Sequence, residues 1–337
     1  MDAVVLVGGS GTRLRPLTLR TPKPMLPLVD RPLLAYLFDQ LADAGVTRAI
    51  LACGYLPDAL VEHFGDGGAT ASGLALEYVV ESEPLGTAGA ARLAAAGRVS
   101  ETFLLLNGDI LSEHDLRALV DLHRARAAAA TIALVQVDDP SRYGVVECDL
   151  EGTVLRFVEK PAPGESTSDL VNAGAYVLEP SMLDSIPEGR PVSIEREIFP
   201  ALVGHGLAAR ELEGYWSDVG TPASYLAAHA RLLEHGLGGR PGPHGVDDSA
   251  VLETGATVHA PSFVGAGAIL RAGATVGPLA SIGHGAVVGA GSSVERAVLQ
   301  AGARVGEGCE LRDVVIGPDY ELPDGAAPLA GSLHGHS

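Results

Sequence analysis

Hydrophobic positions follow two different rhythms along this chain, and the change falls near residue 236. Before it, short apolar runs alternate with amphipathic stretches. Val4-Val5-Leu6-Val7 reads as a buried strand ending in glycines, and residues 33–44 (LLAYLFDQLADA) as a helix with one apolar face. Ala49–Ala52 and Thr102–Leu106 read as further strands, 113–130 as a helix and 131–137 as a strand. Such alternation predicts an α/β domain with a Rossmann-like, mostly parallel sheet and helices on both faces. Ligands in such sheets sit at the carboxyl ends of the strands.

Residues 236–245 (GLGGRPGPHG) form a Gly/Pro linker. Beyond it Leu252, Val258, Val264, Leu270, Val276, Ile282, Val288 and Val294 recur at a spacing of six, with Gly265, Gly277, Gly283 and Gly289 each following one of them. The register slips by one residue and resumes at Val305 and Leu311. A period of six fits neither helix nor ordinary strand. It marks hexapeptide repeats, three per triangular coil of a left-handed parallel β-helix, with the aliphatic residue inward and a small residue at the corner. The organisation expected is a catalytic domain over 1–235, a linker over 236–249, a short β-helix over 250–325 and a loose tail over 326–337.

Composition narrows the chemistry. The net charge is −19, so sequence-wide attraction to nucleic acid or an anionic membrane is not expected. No apolar run approaches the ~20 residues of a membrane span. The amino terminus shows no signal-peptide pattern. Cys53, Cys148 and Cys309 are isolated and form no disulfide framework, which fits a reducing cytoplasm. The chain has 21 arginines and only two lysines, Lys23 and Lys160. In a composition that uses Arg for Lys, the remaining lysines mark positions that want a compact ammonium.

Four stretches carry candidate chemistry. Gly8-Gly9-Ser10-Gly11-Thr12-Arg13-Leu14-Arg15-Pro16 directly follows the first strand. Its glycines let backbone N–H groups approach an anion, and two arginines add charge. Thr21-Pro22-Lys23-Pro24-Met25-Leu26-Pro27 then holds Lys23 between prolines, as suits a cation fixed over a reacting phosphate. Asp109 and Asp218 each sit in a Gly-flanked turn, where an aspartate alone reads equally as a turn or helix-cap residue.

These motifs resemble those of the sugar-1-phosphate nucleotidyltransferases. VLVGGSGTRLRPLTLRTPKPMLPL is similar to the family's amino-terminal signature. ESEPLGTAG (81–89), NGD (107–109), YGVV (143–146), FVEKP (157–161), NAG (172–174) and WSDVGTP (216–222) follow in family order. The resemblance covers residues 3–230 and is strongest to bacterial mannose-1-phosphate guanylyltransferases that carry a carboxyl-terminal hexapeptide domain. It implies attack of a sugar 1-phosphate oxygen on the α-phosphorus of a nucleoside triphosphate, giving a nucleotide sugar and pyrophosphate, with Mg²⁺ as cofactor.

It also implies roles by position. Arg13, Lys23, Asp109 and Asp218 would be catalytic, the two aspartates holding metal. Leu6, Gly8, Gly9, Gly11, Thr12, Glu81, Pro84, Gly86 and Thr87 would bind the nucleotide. Gly108, Gly144, Glu159, Lys160, Asn172 and Gly174 would bind the sugar phosphate. A carboxylate at Glu81 can bridge the adjacent N1–H and N2–H₂ donors of guanine, whereas thymidylyltransferases of the family place a Gln there. GTP and mannose 1-phosphate are therefore the expected substrates. The alternatives are a thymidylyl- or uridylyltransferase acting on glucose 1-phosphate, a guanylyltransferase for another sugar or cyclitol phosphate, or a non-catalytic regulatory relative. Acyl transfer using His259 or His284 is disfavoured by the short repeat domain. The flat faces and end coil of the β-helix predict a homo-oligomer, a dimer or larger.

Overall fold

The computed structural model describes every residue except Tyr55, Gly68, Ala69, Ala71 and Ser337. Two compact units share the chain: Met1–Gly9 with Leu34–Trp216, and Ser10–Leu33 with Ser217–Ser337.

The first unit is built on a nine-stranded sheet. Its strands are β1 (Asp2–Leu6), β2 (Arg48–Cys53), β3 (Ala75–Val80), β4 (Phe103–Asn107), β5 (Ala130–Gln136), β6 (Gly144–Cys148), β7 (Val154–Glu159), β8 (Leu170–Leu178) and β9 (Leu207–Glu211). The main path runs β7-β6-β8-β4-β1-β2-β3, with β5 joined to β8 and β9 to β5. β1, β2, β3 and β4 are mutually parallel, the Rossmann-like half. β8 runs antiparallel to β4, β5 and β6. It changes partner along its length. Val171 pairs with Val145 of β6, while Ala175–Leu178 pair with β4. The register against β5 shifts between Asn172 and Tyr176, so Ala173, Gly174 and Ala175 form a bulge where the sheet splits.

The helices of this unit are α1 (Leu33–Asp43), α2 (Pro57–Phe64), α3 (Gly86–Ala95) and α4 (Leu116–Arg126). On α3, Ala88, Ala90, Ala91, Ala94 and Ala95 are buried, so this helix lies close on the sheet. α4 begins at Asp115, whose carboxylate accepts from the N–H groups of Arg117 and Ala118. The core centres on Phe103, Tyr176 and Phe199, all fully buried, with Tyr176 and Phe199 rings 5.0 Å apart.

The second unit contains the β-helix. Two-residue rungs stack in parallel into three sheets, beginning at Gly245–Val246, Val251–Leu252 and Thr257–Val258. Val264, Leu270, Val276, Ile282, Val288 and Val294 are fully buried, the predicted inward stack. Leu252 departs from that expectation: it is 42% exposed, because the first coil has no coil beneath it. The register slip has a physical seat. The corners from Val294 to Leu299 and from Leu311 to Ile316 are each one residue shorter than the hexad. Each contains a left-handed residue, Arg296 (φ 47°) and Asp313 (φ 55°), and the Arg296 guanidinium donates to the Asp313 carboxylate at 2.8 Å.

Two boundary expectations are corrected. The tail is not loose: Leu333–His334 add a rung to Val315–Ile316, while Ser337 lies outside the described residues. The 236–249 linker already carries the first rung at Gly245–Val246. Nor does compactness follow the 235 boundary. Residues Ser10–Leu33 and the helix α5 (Pro222–His235) pack with the repeats, through contacts described below. No helix among the described residues is long and apolar enough to cross a membrane.

Candidate active site

In the first unit, the expected residues cluster at the carboxyl ends of β1, β4 and β7 and in the amino-terminal halves of β6 and β8. Leu6 ends β1, and its carbonyl accepts from Gly108 N–H at 2.9 Å. Gly108 is packed tightly, since a Cβ there would lie 2.7 Å from Val7 Cγ1. Asp109 follows in the same turn and is half-buried.

Glu81 ends the turn after β3, its N–H on the Cys53 carbonyl at 2.8 Å. Its Oε2 accepts from Leu85 N–H at 2.9 Å, closing the Glu81–Leu85 turn that contains exposed Pro84. Its Oε1 would lie 3.5 Å from a Cβ on Gly8. Burial, with Glu81 adding to it, pushes the neighbouring Cys53 thiol up to about 12, so that thiol is inert. No atom stands within 4 Å of a Cβ placed on Gly9.

Gly86 and Thr87 pack on the Val192–Glu195 segment, and a Cβ on Gly86 would lie 2.6 Å from Val192 O. The amides of Ala88 and Gly89 donate to Val192 O, at 2.9 and 3.4 Å. The Thr87 hydroxyl donates to Glu195 Oε2 at 2.8 Å and accepts from Ile194 N–H at 2.8 Å. The start of α3 thereby clamps the Val192–Glu195 segment.

The sugar-phosphate residues form one group. Glu159 ends β7 and is followed by Lys160, whose Nζ is 3.6 Å from Glu159 Oε1. Burial raises the Glu159 carboxyl above the usual range; Lys160 opposes this and Glu195 adds to it. A Cβ on Gly144 would lie 2.7 Å from Phe157 Cζ and 2.9 Å from Glu159 Oε2, so only glycine lets both side chains sit there. Lys160 has φ 55°, an uncommon conformation for a residue with a side chain, and such strain clusters at binding sites. Its N–H donates to Tyr143 O at 2.9 Å.

The Asn172 side chain has partners within β8. Its side chain stabilises the β8 bulge: Nδ2 donates to Tyr176 OH at 2.9 Å, and Oδ1 accepts from Gly174 N–H at 2.9 Å. Gly174, at φ 74°, packs on Ile110 and Asn107. Three residues of this group were missed in the sequence. Tyr176 is fully buried, and burial with the charges of Glu195, Glu159 and Asp109 holds its phenol well above the usual range. Trp216 Nε1–H donates to Ala173 O at 2.9 Å, and its ring meets Tyr143 edge-on at 5.5 Å. YGVV carries an aromatic beside Gly144, and WSDVG one two residues before Asp218, which was the available signal for Tyr143 and Trp216.

In the second unit, Gly11 (φ 58°) opens the short turn Thr12–Leu14. Its carbonyl accepts from the Thr18 hydroxyl at 2.8 Å. Lys23 is only 6% exposed, and its Nζ donates to the backbone carbonyl of Asp218 at 2.7 Å. Arg13 and Asp218 meet over Gly220. A Cβ there would lie 2.8 Å from Arg13 Nη2 and 3.1 Å from Asp218 Oδ2, so a glycine is needed between them. Between Asp218 and Gly220 stands Val219 at φ 38°, a marked outlier for a β-branched residue. Thus Arg13, Lys23 and Asp218 form one fixed cationic and carboxylate group, suited to a phosphate chain. Among the described residues, no three His, Cys, Asp or Glu side chains gather as a metal cluster.

Comparison with known proteins agrees with this chemistry. Residues 2–235 match the nucleotidyl transferase family. A mannose-1-phosphate guanylyltransferase of Mycobacterium tuberculosis is 43% identical over 275 residues, 79% of this chain and 76% of the relative. A mannose-1-phosphate guanyltransferase of Candida albicans is 42% identical over 238 residues, 69% of this chain and 65% of the relative. The chain thus spans just under two thirds of the yeast protein. The crystal structure of HddC from Yersinia pseudotuberculosis complexed with GMP-PN superimposes with a TM-score of 0.58 at 30% identity, covering 68% of this chain and 98% of that one. With the family match running over more than half its length, the chain belongs to the nucleotidyl transferases.

Proposed function

We propose that this enzyme transfers GMP from GTP to mannose 1-phosphate, releasing pyrophosphate and forming GDP-mannose. A phosphate oxygen of the sugar 1-phosphate attacks the α-phosphorus, and the bond to the β-phosphate bridging oxygen breaks. The observation that carries this reading is the 43% identity with the mycobacterial guanylyltransferase. That match covers 79% of the chain, so it extends beyond residue 235 into the repeats.

The residue roles follow from the chemistry of each group. Two anions must approach, so fixed cations lower the barrier most. Arg13 and Lys23 neutralise the triphosphate and the departing pyrophosphate. Lys23 is suited to this because burial and its bond to Asp218 O leave it little freedom. Lys160 grips the phosphate of the sugar phosphate, and Glu159 accepts from sugar hydroxyls. The Gly8–Thr12 amides and Leu6 line the nucleotide. Glu81 keeps Oε1 for the two guanine donors while Leu85 fixes Oε2. Asn172 shapes the bulge beside Gly174 and offers its remaining amide hydrogen and lone pair to the sugar.

Nucleotidyl transferases generally use a divalent metal. Asp109 and Asp218 offer hard carboxylate oxygens, and Mg²⁺ characteristically takes one or two carboxylates with phosphate oxygens and water. When bound, the ion would neutralise charge developing on the phosphates. A cytoplasmic location is supported by three free cysteines. A homo-oligomer is supported by Val246, Val251 and Leu252, all exposed on the first coil.

The test crosses ATP, CTP, GTP, UTP and dTTP with mannose, glucose and related 1-phosphates in Mg²⁺, reading pyrophosphate release. GTP with mannose 1-phosphate gives the fastest release. Faster turnover with dTTP or UTP and glucose 1-phosphate contradicts the proposal.

A further inference from the structure

The repeat domain touches the very loop that carries Arg13 and Lys23. Gln300, in the rung sheet that contains Val298–Leu299, is 5% exposed, and its Nε2 donates to Tyr225 OH at 3.0 Å. Tyr225 is fully buried on α5, and its hydroxyl donates in turn to the carbonyl of Pro27. A buried amide, a phenol and a backbone carbonyl thus form a directed chain from the β-helix to the end of the Lys23 segment. Lys23 itself is tied to Asp218, seven residues before Tyr225. The loop is therefore pinned to the 218–225 segment at two points.

A second contact reaches the other end of the loop. The terminal rung brings Gly335 against Pro16, where a Cβ would lie 2.9 Å from Pro16 Cγ. Gly317 meets Leu17, with a Cβ there 3.0 Å from Leu17 Cδ2 and from the His334 carbonyl. Pro16 and Leu17 follow Arg13 within four residues. Neither contact involves a residue assigned to substrate.

We infer that the β-helix is a positioning element for the triphosphate loop, acting through Gln300 and Tyr225 on Pro27 and through Gly335 on Pro16. This rests on the reading above that Arg13 and Lys23 hold the triphosphate. Buried hydrogen-bonded networks fix one geometry when complete, and losing one member leaves its partners unpaired. Disturbing the loop by a fraction of an ångström moves two cations that must meet developing charge. The signature of positioning is therefore selective: nucleotide dependence changes while sugar-phosphate dependence does not.

The test measures KM for each substrate and kcat in the full-length protein. Tyr225→Phe is expected to raise the nucleotide KM, or lower kcat, about tenfold, with the sugar-phosphate KM held within twofold. Gln300→Ala is expected to act in the same direction. The double variant is expected to be no worse than Tyr225→Phe alone, because Gln300 works through Tyr225. Gly335→Ala is expected to shift the nucleotide KM about threefold by pressing on Pro16, with thermal melting read alongside to separate this from a folding defect. Lys23→Ala is run beside them. If Lys23→Ala changes nucleotide dependence but Tyr225→Phe, Gln300→Ala and Gly335→Ala change only thermal stability, the inference fails alone. Equal shifts in both substrates' KM also overturn it. If Lys23→Ala lowers neither kcat nor nucleotide affinity, the reading beneath it fails as well.

Discussion

The chain's two lysines sit in opposite settings. Lys23 is buried between prolines and spends its ammonium on the Asp218 carbonyl. Lys160 is exposed, stands in a left-handed backbone conformation and faces Glu159 across 3.6 Å. One is a fixed cation in a packed loop, and the other is a reachable cation at a strand end. The contrast teaches that one residue type can serve two electrostatic tasks. A preorganised charge acts on charge that develops during reaction. An accessible charge acts on an anion that arrives from water and leaves again.

The comparison can be broken from either side. Lys23→Ala is expected to have the largest effect, a fall in kcat of about 10²–10³, the typical cost of removing one preorganised group at developing charge. Single-turnover rates check it. An effect confined to KM would make Lys23 an ordinary binding lysine. Lys160→Ala is expected to raise the sugar-phosphate KM about tenfold or more with kcat less affected, read from initial rates at varied mannose 1-phosphate. Gly144→Ala sharpens the same side. Its Cβ would collide with Phe157 and Glu159, so sugar-phosphate affinity is expected to fall about fivefold with nucleotide affinity unchanged, by titration calorimetry.

The last effect is on stability rather than rate, and each unit supplies one histidine to it. Burial lowers His114 to about 4 and His229 to about 3. Both are neutral when folded, while unfolded histidines take up protons near 6.5. The unfolded state therefore binds more protons below that point. The stability from keeping these rings neutral is complete above pH ~6.5 and is lost as pH falls towards 4 and then 3. The slope is up to about 1.4 kcal/mol per pH unit for each histidine. Urea denaturation between pH 7 and 4.5 should show it, and His229→Gln should flatten it.

Much of this was legible in the sequence for a physical reason. Strand burial and hexad spacing are local periodicities, so the Rossmann-like sheet and the repeat stack appear directly in the residues. Gly144 and Lys160, sixteen residues apart, are neighbours because β6 and β7 pair antiparallel, with Gly144 opposite Glu159. What escaped depends on partners far along the chain. Thr87 is claimed by Glu195, Asn172 by Tyr176, and Tyr225 by Gln300 and Pro27. No spacing rule reports such pairs. The tail misled because a single rung with no hexad after it has no period to detect, although it pairs with Val315–Ile316.

The most direct test replaces each lysine by arginine and compares the two enzymes in steady-state pyrophosphate release. A planar guanidinium keeps the charge but needs more room and a different hydrogen-bond geometry. Lys160→Arg is expected to retain kcat within about threefold, because that site is open, whereas Lys23→Arg is expected to lose at least about thirtyfold, because that site is packed and its bond to Asp218 O is set for an ammonium. Equal tolerance at both positions, or greater tolerance at Lys23, would contradict the division of labour between a fixed and an accessible cation.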